Sequence, residues 1–193
     1  IWVSDLELHR DTGKISGKGP GRLIRRNRDS GKKRNSTTNL FASKSGKRAK
    51  LHYLQVDFRS HLGGNLHARR VTLYEQIEAL YGPIPNWKSS LHNRTPEGLG
   101  ERGVEITSRT LTVSEWKKMA GQKRGPLEVT AAGNTRVRGS NFAAHAERLS
   151  YVEAKDLVVL ESATNDKAKI RHWSSNGNGD VRQISGRKIL FWP

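Results

Sequence analysis

Glu153 and Lys155 stand two residues apart in Tyr151-Val-Glu-Ala-Lys-Asp156, a segment that reads as a strand. On a strand, positions i and i+2 share a face, which would set a carboxylate beside an ammonium. There the carboxylate can hold Mg²⁺ while the lysine stabilises phosphate charge or positions an attacking water. Metal-free RNA cleavage would instead need two acid–base groups and a cation for the phosphorane. His145 and His172 are the candidates for that chemistry, with Glu147, Arg148 and Arg171 beside them. His61, His67, Arg69 and Arg70 form a second cluster. A nuclease, such as the excised toxic domain of a larger polypeptide, is therefore one reading.

The Glu-x-Lys pair resembles one half of the signature of the PD-(D/E)xK nuclease superfamily, over residues Tyr151–Asp156. Pro126-Leu127-Glu128 stands upstream as the acid-bearing half, with Glu for Asp and Leu127 intervening. The resemblance implies a Mg²⁺-dependent site built on Glu128, Glu153 and Lys155. Other motifs fail on their own chemistry. His145-Ala-Glu147 matches the start of a zinc deaminase signature, but that metal needs cysteines and the chain has none. Gly46-Lys47 lacks the rest of a phosphate-binding loop, and Gly17-x-Gly19-x-Gly21 follows no credible strand for a dinucleotide fold.

Charge points elsewhere. The formal net charge is +17, and between Gly13 and Lys50 thirteen Lys or Arg face one acid, Asp29. The cations are Lys14, Lys18, Arg22, Arg25, Arg26, Arg28, Lys32, Lys33, Arg34, Lys44, Lys47, Arg48 and Lys50. Few bulky apolar residues accompany them, so the stretch is expected to form an extended arm that threads along a polyanion. Such an arm neutralises phosphates and releases counterions, and RNA is the first partner expected, with DNA as the alternative. Arg69, Arg70 and Trp87 extend the expected surface, Trp87 as a base-stacking platform in a Pro-rich loop. Membrane-surface binding is disfavoured, because Gly and Pro interrupt any amphipathic helix before residue 40.

The elements that must position these groups divide the chain into an arm, 1–50, and a globular domain, 51–193. Residues 51–58 alternate as a half-buried strand. Thr72-Leu-Tyr-Glu75 reads as a capping box, with Leu73, Ile77, Leu80 and Tyr81 on one helical face and Gly82-Pro83 as the stop. A second capping box at Thr112-Val-Ser-Glu115 predicts a helix to about residue 120, with Trp116 and Met119 inward. Gly133-Asn134 predicts a hairpin turn, and residues 142–149 one or two helical turns. Short strands at 151–154, 157–161, 169–173, 180–184 and 188–192 follow as a meander. The class expected is α+β: a small antiparallel sheet or partly closed barrel, two short helices and a long basic N-terminal arm.

On these grounds the chain is expected to be a non-enzymatic RNA-binding constituent of a ribonucleoprotein, ribosome-like in character, among protein neighbours. No cofactor is expected, Mg²⁺ belonging to the nuclease alternative. A viral nucleic-acid packaging or matrix protein is the third class. No apolar run is long enough to cross a bilayer as a helix. From its start at Ile1 the chain is expected to be a processed product, a fragment or an excised domain, and the location expected is intracellular, organellar if a presequence was removed.

Overall fold

The computed structural model describes residues 2–28, 51–93, 96–100, 103–116, 125–155, 157–163, 166–173 and 181–191. Lys32, Lys33, Arg34, Lys44, Lys47, Arg48 and Lys50 lie outside the described residues, as do Met119 and the expected arm–domain boundary. One antiparallel sheet of twelve strands holds the rest. In chain order the strands are β1 (Trp2–His9), β2 (Lys14–Arg28), β3 (Leu51–Phe58), β4 (His61–Asn65), β5 (Arg70–Ile84) and β6 (Val104–Glu115). There follow β7 (Leu127–Gly139), β8 (Phe142–Val152), β9 (Leu157–Glu161), β10 (Ala168–His172), β11 (Arg182–Gly186) and β12 (Lys188–Phe191).

A transverse line of irregularities divides this sheet into two leaves. On β5, Glu75 and Gln76 together oppose Arg109 of β6, and both have positive φ (63° and 47°). On β7, Gly133 and Asn134 (φ 81° and 51°) together oppose Glu147 of β8. Two bulged strands thus alternate with two that are not, so the extra residues stack into a crease. Short strands respect the same line. β2 pairs β4 through Lys14–Lys18 and β3 through Gly21–Arg28, while β8 pairs β10 through its first half and β9 through its second.

The crease lets both leaves turn their apolar side inward. Leu73 and Ile77, Ser108 and Leu111, Ala131 and Thr135, and Ala146 and Leu149 flank it in pairs, all buried. One hydrophobic cluster therefore draws from both leaves, from Val56 and Phe58 to Val158, Leu160, Ala168 and Ile189. Small residues (Ala131, Ala146) stand beside the crease, where the leaves converge. Burial of this continuous inner face is the main stabilising term of the fold.

These facts overturn the α+β expectation: the chain is nearly all β, and no α-helix occurs among the described residues. The segment 72–81 is β5. Leu73 and Ile77 are four apart because they flank the bulge on the inner face, whereas Leu80 points outward to a second cluster with Tyr53, Ile84, Leu91 and Leu99. Two sheet faces thus imitate one helical stripe. The expected helix from Thr112 is the end of β6, with Trp116 exposed, and residues 142–149 are β8. Gly133-Asn134 is the mid-strand bulge of β7, not a hairpin turn. The expected loose arm is in part β2, which is paired on both sides.

At Gly133 a Cβ would lie 2.7 Å from the Arg109 Cβ, on a backbone that L-residues rarely adopt. Gly133→Ala is expected to cost roughly 1–3 kcal/mol in thermal or denaturant unfolding. Gly63→Ala, at a site with nothing within 4 Å and ordinary φ, is expected to change stability by less than about 0.5 kcal/mol. Equal effects would mean that the crease does not constrain the fold.

Candidate functional site

Cross-strand register lines up two charged rows on the outer face of the second leaf, that of β3, β10 and β11. One row runs Arg22, Asp57, Glu78, Thr107, Arg136, His145, Lys169, Ser185. The next runs Ile24, Gln55, Leu80, Glu105, Arg138, Ala143, Arg171, Gln183. Acids gather at one end and cations at the other. The first leaf differs: its outer face carries Thr72, Thr112, Thr130 and Ser150 in one neutral row, with the Thr72 and Thr112 hydroxyls 3.0 Å apart.

The acidic end is closed. Residues 85–93 and 96–100 form a strap whose Leu91 and Leu99 pack on the outer side of β3 and β5. From this strap the Asn93 amide donates to Glu78 Oε1 at 2.8 Å and to Glu105 Oε1 at 2.6 Å. Glu105 also accepts from Arg138 Nε at 2.9 Å, and Arg138 Nη2 donates to the Asn93 carbonyl at 3.0 Å. Asp57 accepts from Arg22 Nε at 2.5 Å and from the Gln55 amide at 2.7 Å, and the Tyr53 hydroxyl donates to Gln55 at 2.6 Å. Burial, then the charges of Glu105 and Asp57, push the Glu78 carboxyl above its ordinary range. Burial likewise raises the Tyr53 phenol.

The cationic end is open. Arg136, Arg138, Lys169 and Arg171 line a shallow cleft of about 550 Å³ together with His145, Ala143 and Glu105. Arg136 and Lys169 make no ion pair among the described residues. Arg171 donates Nε to Gln183 at 2.8 Å, which fixes its guanidinium plane and leaves both Nη groups for another acceptor. His145 Nε2 lies 2.8 Å from Asn134 Oδ1 at the crease. A second cleft, on the crease itself, shares Thr107 and Arg136 and adds Arg109, Glu75 and Gln76. Oriented cations around the low floor of Ala143 can bind an anionic ligand.

The residues expected from sequence are scattered. Glu153 and Lys155 lie on a 3₁₀ turn, because β8 ends at Val152. The strand on which positions i and i+2 share a face therefore does not extend to this pair. Glu128 is on β7 and accepts from Trp116 Nε1 at 3.1 Å. His145 is on the outer face, whereas His172 is three residues from its partner Lys169, on the opposite face and roughly 10 Å along the strand. His172 Nε2 lies 3.2 Å from the Asn141 amide. The two histidines do not form an acid–base pair. No group of three or more His, Asp or Glu that could hold a metal occurs among the described residues.

Of the basic stretch, Lys14, Lys18, Arg22, Arg25, Arg26 and Arg28 are strand residues of β2. Lys18 pairs with Asp5 at 3.6 Å, Arg26 lies over the Tyr53 ring, and Arg28 lies 5.9 Å over the exposed Trp87 ring. Arg69 pairs with Glu115 at 2.5 Å, and Arg70 is exposed on β5. The cluster Arg136, Arg138, Lys169 and Arg171 was missed as a site. Its signal is present in the sequence as two basic i, i+2 pairs, Arg136-x-Arg138 and Lys169-x-Arg171.

Comparison with models of known protein families, with curated proteins and with solved structures finds no match.

A carboxyl whose folded value is raised favours the native state in acid, and that contribution is lost as pH rises through the raised value. Glu78→Gln, which keeps an acceptor for Asn93, is therefore expected to raise the melting temperature at pH 7. The gain should be under about 1 kcal/mol, because the group is only half-buried and screened. At pH 4, thermal unfolding of variant and parent should coincide. A loss at pH 7 would show the carboxylate itself to be stabilising.

Proposed function

We propose that this chain is a non-enzymatic binding protein that takes a phosphate-rich polyanion, RNA foremost, across the outer face of the second leaf. The observation that carries this reading is the asymmetry of that face: its carboxylates are occupied by Asn93, Arg22 and Arg138, while Arg136 and Lys169 make no ion pair among the described residues. Four cations are thereby presented together at one end of the sheet, in a chain whose formal net charge is +17. Cations between 29 and 50 add to the attraction through composition alone. A nuclease role receives less support, since Glu128, His145 and His172 are not assembled and Glu153 and Lys155 lie on a 3₁₀ turn rather than a strand.

Phosphate contacts position a nucleic acid without reading its bases, so the expected binding is weakly sequence-dependent. An interface of four or five phosphates would give a log K versus log salt slope of roughly −3 on single strands. Fluorescence anisotropy with a labelled single-stranded RNA, from low to physiological salt, measures it. The expected result is salt-sensitive binding with RNA left intact on a denaturing gel, with or without Mg²⁺. RNA cleaved in step with the protein would favour a nuclease. Sedimentation with vesicles rich in anionic phospholipid, without RNA binding, would overturn the nucleic-acid reading in favour of a phosphate-bearing lipid surface.

A further inference from the structure

We infer that the cleft over β7, β8 and β10 is a seat for one phosphate group, set above Ala143 and flanked by Arg136, Arg138, Lys169 and Arg171. The inference deepens the reading of the outer face as a polyanion surface, and rests on it, by naming the point at which a phosphate is held. Three features separate this place from the rest of the basic surface.

The first is register. Arg138, Ala143 and Arg171 are directly aligned across β7, β8 and β10, and Arg136, His145 and Lys169 are aligned beside them. Neighbouring strands lie about 4.8 Å apart, so the two cations of each row are roughly 10 Å apart at the backbone. An anion between them can be approached from both sides. Ala143 supplies the low floor; any longer side chain there would fill the gap between Arg138 and Arg171.

The second is preorganisation. Arg138 is held through Nε by Glu105 and through Nη2 by the Asn93 carbonyl, and Arg171 is held through Nε by Gln183. Each guanidinium is therefore fixed before a ligand arrives, which lowers the entropy lost on binding. Lys169 and Arg136 supply charge without such ties.

The third is isolation of the competing acid. Among the described residues Glu105 is the one carboxylate lining the cleft, and its Oε1 is turned to the strap by Asn93. It still shares Arg138 with any incoming anion. Neutralising it should therefore strengthen binding, whereas neutralising an acid elsewhere should not. Glu161, paired with Lys188 at 2.9 Å on the other leaf, is the matched control.

The experiment is titration of the full chain with inorganic phosphate, and with pyrophosphate, at constant ionic strength in chloride, followed by backbone amide shifts. Saturable changes confined to β7, β8 and β10 are expected. Arg138→Ala and Arg171→Ala should each weaken phosphate binding about tenfold, the loss of one charge-assisted contact. Glu105→Gln should strengthen it several-fold and Glu161→Gln should leave it unchanged. Arg138 and Arg171 are exposed, Glu161 is partly exposed and Glu105 is largely buried, and amide spectra verify that the variants remain folded. Shifts that do not saturate, or that respond equally to Glu105→Gln and Glu161→Gln, would overturn the inference. Measured on the same variants, RNA affinity separates the two ideas. RNA binding untouched by the arginine variants removes the cleft and spares the wider reading. Saturable phosphate binding without any RNA binding retains the cleft and removes RNA as the partner.

Discussion

The crease is the constraint on which the molecule depends. Twelve antiparallel strands laid flat would expose one apolar face along their whole length. Stacked bulges at Glu75-Gln76 and Gly133-Asn134 fold the sheet so that this face meets itself. The fold therefore needs no second layer of helices and no separate sheet. Each bulge must preserve the inward direction on both sides, and the buried pairs flanking it show that it does. Strained positive-φ residues are the cost, offset by a core common to both leaves.

Folding the sheet also sorts its polar side. Two outer faces result, and they differ in chemistry although the same strands β5 to β8 cross both. One carries a neutral row of hydroxyls beside the ion-paired Glu161 and Lys188. The other is a charged row divided into a strapped acidic end and an open cationic end. Asn93 matters to this division because its single amide group serves two carboxylates at once. The cleft of Arg138 and Arg171 thus owes its form to a loop side chain as well as to the strands.

The sequence marked several strands correctly, among them 51–58, 157–161 and the described part, 188–191, of the expected 188–192, because each lies within one leaf and is not interrupted by the crease. The strands that cross the crease were misread. In β5 the bulge and the use of both faces placed Leu73, Ile77, Leu80 and Tyr81 at helical spacing, and Gly82-Pro83 imitated a helix stop. In β7, Gly-Asn was the correct chemistry for positive φ but was attributed to a turn between strands. Local rules detect the backbone state, not whether the chain reverses. The site was less legible. Charge density drew notice to residues 14–28, whose cations are partly engaged with Asp5, Asp57, Tyr53 and Trp87. The open cations were visible only as i, i+2 pairs, and their convergence is set by register between β7, β8 and β10.

The order of strands has a bearing on how the chain acquires and varies its form. From β5 to β8 every strand lies beside its successor, so the centre of the sheet is a run of consecutive hairpins. Among these, only β7 and β8 are joined by a short connection, Ser140-Asn141. Residues 85–103 lie between β5 and β6 and residues 116–126 between β6 and β7, so closing those two pairs costs loop entropy that a two-residue turn does not. Growth or loss of a hairpin within such a run would leave the path of the remaining backbone unchanged. Length in this architecture is therefore an adjustable quantity, and the crease a seam that each added hairpin can extend.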